Sequence, residues 1–206
     1  ALSGLPSGRY YGGVDTTPLY IHLACAYADR TGDMPFIDGL WGSLAAAAGW
    51  MEDASRDGGF VTYQRGAASG LANQGWKDSG DSIQWRDGRL AAPPIALCEV
   101  QAYAYEAAMR GSDLLDRFGD PGEGDPWRAW AARLRAAFHE RYWISDADGG
   151  YPAVALDAAK QPVDSLTSNL GHLLGTGLLD PEQEATIARR LVSDELASGF
   201  GLRTLS

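Results

Sequence analysis

Apolar residues recur at intervals of three and four along most of the chain, a spacing that places them on one face of an α-helix. The clearest stripe lies within residues 34–55 and consists of Ile37, Leu40, Trp41, Leu44, Ala45, Ala48 and Met51. An earlier helix is predicted over residues 19–30, with Thr16 or Thr17 as its N-cap. Gly32 is expected to end it and Asp33 to cap the next, so the two helices form a hairpin.

The same spacing predicts two further pairs of helices. Residues 95–118 form a helix that is apolar on most sides at its start, which predicts deep burial there, and residues 127–142 carry a second stripe. The third pair is a short helix within residues 166–179 and an amphipathic helix over 181–193. Short strands are predicted at two places, residues 61–63 and 151–155, where Pro152 restricts the second to a sheet edge.

Three helical hairpins in series, joined by Gly-rich loops, allow two arrangements. If alternate helices lie inside and outside, the hairpins form part of a helical toroid, and three hairpins are half of one. An ordinary helical array fits the pattern equally well. The length of 206 residues suits one domain or part of one, so residues 1–206 are interpreted as a single domain.

Composition and charge exclude several classes of function. The net charge is −10 and the sequence pI is about 4.6, which argues against nucleic acid or an anionic membrane as a partner. No run of about 18 apolar residues and no signal peptide is found, so a soluble, cytoplasmic chain is expected. Cys25 and Cys98 lie in apolar helical stretches and are expected to be buried free thiols. Without a Cys/His cluster or a nucleotide-binding motif, no metal and no cofactor is expected.

The loop at residues 73–82, with the sequence NQGWKDSGDS, concentrates polar and aromatic side chains. Saccharides bind to this mixture, because an indole stacks on a sugar ring while amides and carboxylates bond to its hydroxyls. Hydrolysis of a glycosidic bond needs one carboxylic acid as proton donor and a second carboxylate to activate water or attack carbon. Trp76 next to Asp78 is expected to raise the pKa of that carboxyl by desolvation. A turn or capping loop is the equally weighted alternative.

Other polar residues have two interpretations each. Asp15, which follows Tyr10 and Tyr11, either caps the first helix or holds the hydroxyls of a terminal sugar.

Further along the chain, Glu99 and Gln101 lie in an apolar helix, and the Glu99 carboxylate therefore needs a partner or a cavity. His172 is expected to be a hydrogen-bonded structural histidine. Arg203, in the final loop, is placed to reach a ligand or a carboxylate.

Five segments, in this order, resemble bacterial amylo-α-1,6-glucosidases, also called glycogen debranching enzymes: YYGGVDTTPLY, GLANQGWKDSGDSI, GRLAAPPIALCEVQAY, PVDSLTSNLGHLLGTGLL and SGFGLRTLS. These enzymes are related to the mannosylglycerate hydrolase-like and trehalase-like inverting glycoside hydrolases. The resemblance covers essentially the whole chain. It implies an all-α (α/α)6 toroid, with the active site at the mouth where the inner helices begin.

The resemblance also implies roles for individual residues. Asp78 matches the general acid of a Trp-x-Asp element, and Asp15 matches the residue expected to hold the terminal sugar. The positions expected to line the pocket are Gln74, Trp76, Asp81 and Arg203. The implied substrate is an oligosaccharide or glucan with α-glucosidic bonds, such as an α-1,6 branch.

The chain departs from the family pattern at its end. In the family, the RTLS segment is followed by further helices and by a second catalytic carboxylate, whereas this sequence stops at Ser206. The expectation is about half a toroid, truncated at the C-terminus, with an acid but no base, and inactive alone. The alternative is a non-catalytic saccharide-binding or interaction module. An uncovered apolar flank would favour a homo-oligomer.

Overall fold

The computed structural model describes residues 12–66 and 70–206, so Tyr10 and Tyr11 lie outside the described residues. The described part is mostly helical. Its helices are α1 (Thr16–Thr31), α2 (Met34–Ala54), α3 (Cys98–Phe118), α4 (Asp125–Tyr142), a 3₁₀ helix (Ser168–Leu173) and α5 (Pro181–Leu191). The strands have two residues each: β1 (Ala96–Leu97), β2 (Trp143–Ile144), β3 (Tyr151–Pro152), β4 (Ala155–Leu156) and β5 (Pro162–Val163).

The helices pack in two rows. α1 and the 3₁₀ helix both contact α3, and these three elements form the inner row. α2 packs on α1, α4 on α3, and α5 on the 3₁₀ helix, which makes an outer row. This alternation confirms the predicted all-α fold of a partial helical toroid with short strands in its loops.

Local sequence explains where the first two helices begin and end. Gly32 ends α1 with a φ of 67°, a conformation that glycine adopts without a steric penalty, as predicted. The Asp33 carboxylate accepts a 3.1 Å hydrogen bond from the backbone N–H of Phe36, so it caps α2 as predicted. The predicted Thr16 or Thr17 cap of α1 is wrong, and the Thr16 hydroxyl donates to the carbonyl of Gly13 at 2.7 Å. Asp15, the other residue expected to cap this helix, occupies the N-cap position, although its side chain makes no capping hydrogen bond.

The start of α3 is the most enclosed part of the fold. Cys98, Val100, Ala102 and Ala104 are fully buried on different sides of the helix, which confirms the predicted burial. The helix begins at Cys98 and not at the predicted residue 95, because the preceding backbone is paired as extended chain. Ile95 bridges Tyr63, and Ala96 is opposite Leu156 in an antiparallel pair. Both cysteines are free and buried, as expected.

The strands hold the loops at the ends of the inner helices. One sheet has the antiparallel order β1-β4-β5, and a second pairs β2 with β3. The strand predicted over residues 151–155 is divided between these two sheets, since β3 and β4 bond to different partners. The strand predicted at 61–63 is reduced to the single bridge made by Tyr63.

The first helix of the third hairpin is shorter than predicted. Only Ser168–Leu173 is helical, and as a 3₁₀ helix, within the predicted span of residues 166–179. Gly175 and Gly177 have φ values of 77° and 79°, which are incompatible with continuing a right-handed helix. Among the described residues, no helix combines the length and apolar character needed to span a membrane.

Candidate active site

The loop at residues 73–82 has a shape determined by its first side chain. Asn73 is buried, and its amide oxygen accepts a 2.8 Å hydrogen bond from the hydroxyl of Tyr63. Its amide nitrogen donates to the carbonyl of Ser79 at 2.6 Å and to the hydroxyl of Ser82 at 3.1 Å. The two ends of the loop are therefore tied to one buried amide. This bonding favours a preorganised loop.

The loop backbone lies directly on the start of α3. A Cβ atom added at Gly75 would lie 2.6 Å from Cδ1 of Leu97 and 3.8 Å from Oε1 of Glu99. No side chain fits at this position without displacing the loop or Leu97. Glycine at position 75 thus allows the loop backbone to lie close to Leu97, and the loop covers the Glu99 carboxyl.

Glu99 has the partners that its burial requires. The side chain is 1% exposed, and Oε1 accepts a 2.8 Å hydrogen bond from the amide of Asn169 in the 3₁₀ helix. The thiol of Cys98 donates to Oε2 at 3.5 Å. Burial raises the pKa of Glu99 to about 7, although these donors and the nearby ammonium of Lys77 oppose the shift.

The adjacent Gln101 is satisfied by backbone groups alone. It accepts from the N–H of Val61 and donates to the carbonyls of Val61 and Leu97, each at 2.9 Å. It is therefore structural, whereas Glu99, on α3, also contacts the 3₁₀ helix and loop 73–82.

Lys77 connects the loop to the end of the described chain. Its ammonium donates to the carbonyl of Thr204 at 2.7 Å and lies 5.1 Å from the centroid of the Trp76 ring. Burial lowers the pKa of Lys77, with the carboxyl of Glu99 opposing that shift. The lysine thus fixes the position of Trp76 from one side of the ring.

The second neighbour of the Trp76 indole is His172. The two ring centroids are 4.8 Å apart. The Tyr103 hydroxyl is hydrogen-bonded to Nδ1 of His172, and burial lowers the pKa of the imidazole and raises that of the phenol. A neutral His172 that accepts from Tyr103 agrees with these shifts. The histidine is hydrogen-bonded, as expected, and it also positions the indole.

Asp15 lies at the head of α1 beside the same loop. Its side chain is buried, and burial raises its pKa, while the backbone N–H groups of Thr16 and Trp76 oppose the shift. The carboxyl therefore lies beside the backbone N–H of Trp76. Its proposed contact with a terminal sugar stays a prediction.

Asp78 and Asp81 face an open cavity of about 310 Å³ at the loop surface. Trp76, Ser79, Ser82, Gln84 and Thr204 also line it. The Asp78 side chain is exposed, and the indole packs against His172 and Lys77, so the desolvation of Asp78 expected from Trp76 is not observed.

Two of the residues expected in this pocket lie elsewhere. Gln74 lines a different cavity, together with Trp50, and its amide donates to the carbonyl of Gln64 at 3.2 Å. The exposed Arg203 donates to the carbonyls of Asp194 and Glu195 and holds that turn. The structure therefore groups Trp76, Asp78 and Asp81 without them.

Sequence reasoning missed Tyr103, Asn169 and the positioning role of Lys77. Tyr103 is four residues after Glu99, a spacing that places both on one side of α3. Asn169 ends the polar run Thr167–Asn169 and precedes Leu170, and because it is fully buried it has to be paired with another buried group. Neither pattern identifies the partner.

Comparisons with known proteins agree with this architecture. The family model of the mannosylglycerate hydrolase MGH1-like glycoside hydrolase domain matches residues 3–206. No curated protein matches the chain. Among solved structures, a GH78 family rhamnosidase of Bacillus sp. GL1 is similar, with 17% sequence identity and a TM-score of 0.67. The alignment covers 88% of this chain and 17% of the rhamnosidase, so at this identity the likeness shows the fold alone.

Proposed function

Because the chain belongs to the mannosylglycerate hydrolase MGH1-like glycoside hydrolase family, we propose that its 73–82 loop forms part of a glycosidase site with Asp78 as the general acid. The observation that carries this proposal is the cavity of about 310 Å³, in which Asp78 and Asp81 lie beside an indole that is 46% exposed. The indole contacts His172 and Lys77, and its exposed part contacts a sugar ring in this proposal.

The proposed chemistry is inverting hydrolysis. Asp78 donates a proton to the glycosidic oxygen, and a carboxylate roughly 6.5–9.5 Å away directs water to the opposite face of the sugar. Asp81 accepts hydrogen bonds from sugar hydroxyls, and the Ser79 hydroxyl accepts or donates them. The Ser82 hydroxyl, whose proton is donated to the carbonyl of Lys77, only accepts. The proposed substrate is an oligosaccharide or glucan with an α-glucosidic bond, in particular an α-1,6 bond, handled without a cofactor.

A second candidate function is saccharide binding without catalysis. The observation in its favour is that Glu99, a buried carboxylate next to this loop, lies beneath Gly75 and is sealed from solvent. In this arrangement it has no access to an attacking water. The base would then have to come from elsewhere, and the described residues by themselves would bind a sugar and leave it intact.

One pair of measurements separates the two candidates. Isomaltose and maltose are titrated into the protein by calorimetry, and glucose release is followed in parallel, with mannosylglycerate and an aryl α-L-rhamnoside as further substrates. Release of glucose supports the hydrolase. Binding without release of any sugar supports the binding module.

The role of Asp78 is tested by Asp78→Asn. Loss of a general acid is expected to lower turnover by about 10²–10⁴-fold while saccharide binding persists. The matched control is Asp81→Asn in the same loop, which is expected to weaken binding more than turnover. Retained turnover in Asp78→Asn would remove Asp78 as the acid.

Two coarser properties complete the proposal. The exposed Leu19 and Leu23 lie four residues apart on α1 and form an apolar strip, which favours association with a second copy of the chain. Light scattering is expected to show a dimer that Leu23→Glu converts to a monomer.

The two buried free thiols, Cys25 and Cys98, suit a reducing compartment such as the cytoplasm.

A further inference from the structure

Loop 73–82 contributes to two separate cavities. Trp76, Asp78 and Asp81 line the first, and Gln74 lines the second, which measures about 280 Å³. The two cavities share no lining residue. The second is near the lower end of the range of about 300–1,000 Å³ that is typical of small-molecule sites.

One wall of the second cavity is the indole of Trp50, which is not part of the hydrophobic core. Trp50 lies on α2 and is 37% exposed, whereas Leu44, Ala47 and Met51 are the buried face of that helix. Within the described part of the chain, its ring makes no aromatic pair with another ring. An indole of this size at the wall of a polar cavity is suited to stacking on a ligand ring.

The remaining walls, as far as described residues form them, are mainly polar and uncharged. They consist of the side chains of Thr17, Thr62, Tyr63, Gln64 and Gln74, with Gly12, Gly13 and Val14. Among the described residues, no charged side chain lines the cavity, although the net charge of the whole chain is −10. Planar amides and hydroxyls around an indole favour a neutral polyhydroxyl ligand and not an anion or a cation.

Part of this hydrogen-bonding capacity is unused by the described residues. The side-chain amide of Gln74 donates to the carbonyl of Gln64, but nothing in the described ranges bonds to the amide oxygen of Gln74. Over the same ranges, the Gln64 amide group and the Thr17 hydroxyl make no hydrogen bond to protein. All three groups are available to the hydroxyls of a sugar.

The backbone around the cavity is held in place. The N–H of Val14 donates to the carbonyl of Gln74 at 2.9 Å, and the N–H of Thr62 donates to the carbonyl of Ala54 at 3.2 Å. Tyr63 is bridged to Ile95 through both of its backbone groups. A ligand therefore enters a preformed site and does not have to order the backbone.

We propose that the cavity lined by Trp50, Gln64 and Gln74 is a second saccharide-binding site, which takes one hexose unit of a neutral saccharide stacked on Trp50. It is a binding site without a catalytic role, since the described side chains that line it include no carboxylic acid. The proposal does not depend on Asp78 being an acid or on the chain being a hydrolase.

The test follows the indole N–H resonance of Trp50 by NMR, assigned with Trp50→Phe, while maltose or isomaltose is added to the whole chain. The resonance is expected to shift and to reach saturation by about 50 mM sugar, because that concentration is well above the dissociation constant of a single stacked sugar, which is in the millimolar range. Gln64→Ala, which removes an exposed amide and little packing, is expected to weaken this binding about fivefold, as one lost hydrogen bond does.

The matched control is Gln84→Ala, which changes a glutamine of the other cavity and is expected to leave the Trp50 shift unaltered. Trp50→Ala gives a second readout, since calorimetry should then lose this site. A Trp50 resonance that does not move, or an equal affinity in Gln64→Ala and Gln84→Ala, would overturn the proposal. Glucose release reports separately on the proposed hydrolase function, so the two can fail independently.

Discussion

The side-chain amide of Asn169 donates a 2.8 Å hydrogen bond to the carboxyl of Glu99, and this contact joins the 3₁₀ helix to the first turn of α3. Gly75 of loop 73–82 lies against the same carboxyl, and the ammonium of Lys77 is close enough to oppose its pKa shift. Three segments that are distant in sequence thus meet at one buried acid. The positions of these three segments relative to one another therefore depend on Glu99.

Glu99 is expected to make stability depend on pH. Its pKa is about 4.5 in the unfolded chain and about 7 in the folded protein, so the folded state binds this proton more tightly between those values. The free energy of unfolding should therefore fall as pH rises from about 4.5 to 7, by up to about 3 kcal/mol, and then level off. Glu99→Gln replaces the carboxyl by an amide of the same size that does not titrate, so this substitution should remove the contribution.

Urea unfolding of the wild type and Glu99→Gln at about pH 5 and about pH 8 measures this contribution. The stability of the Gln variant relative to wild type should be greater at the higher pH. Glu140→Gln is the matched control, because Glu140 is exposed on α4, and it should show no such change. Equal differences at both pH values would contradict a raised pKa of Glu99.

Gly75 and Gly80 lie in the same loop but differ in the space around them. The Cβ of Gly75→Ala would lie 2.6 Å from Leu97, whereas no atom lies within 4 Å of a Cβ at Gly80. Gly75→Ala is expected to destabilise the protein by about 1–3 kcal/mol and to weaken saccharide binding at Trp76, because the loop must move. Gly80→Ala should change both by little. Thermal unfolding and calorimetric titration of the two variants are the measurements, and equal behaviour would exclude the close packing at Gly75.

Arg190 is a buried cation that holds two turns to α5. Its guanidinium bonds to Asp146, contacts Glu195 at 2.8 Å and lies 5.3 Å from the ring centroid of Tyr151. Arg190→Ala is expected to destabilise the protein by about 2 kcal/mol, less than a fully buried pair, because its carboxylate partners remain in contact with water.

The neighbouring Arg189 is exposed and bonds to the hydroxyl of Thr186. Arg189→Ala is therefore the control, with an expected change within about 0.5 kcal/mol. Chemical denaturation at low and high salt measures both variants. If the two variants lose the same stability, Arg190 does not hold the carboxylates of Asp146 and Glu195 in place.

Tyr103→Phe removes the hydroxyl that bonds to His172. A part-buried Nδ1 would lose its donor, so a destabilisation of about 1 kcal/mol is expected, together with looser packing of the Trp76 ring. Tyr105→Phe is the control on the same helix, since its hydroxyl bonds to none of the described residues. The indole resonance of Trp76 should broaden or shift in the first variant and not in the second.

The amino-acid sequence was enough to predict the helices, their order in hairpins and those helix ends that depend on local chemistry. The three-to-four spacing of apolar residues in α2, the cap at Asp33 and the stop at Gly32 each act within a few residues, so a one-dimensional pattern contains them. The sequence also required a partner for Glu99, because burial of an unpaired carboxylate is unfavourable.

The contacts between distant side chains could be found only from the folded structure. Asn169 is 70 residues from Glu99, and Thr204 is 127 residues from Lys77. Gln74 and Trp76 are two residues apart, yet they line different cavities. Arg203 bonds to nearby carbonyls and not to the pocket. Such outcomes depend on the direction of each side chain and on the packing of distant segments, and neither is encoded in local spacing.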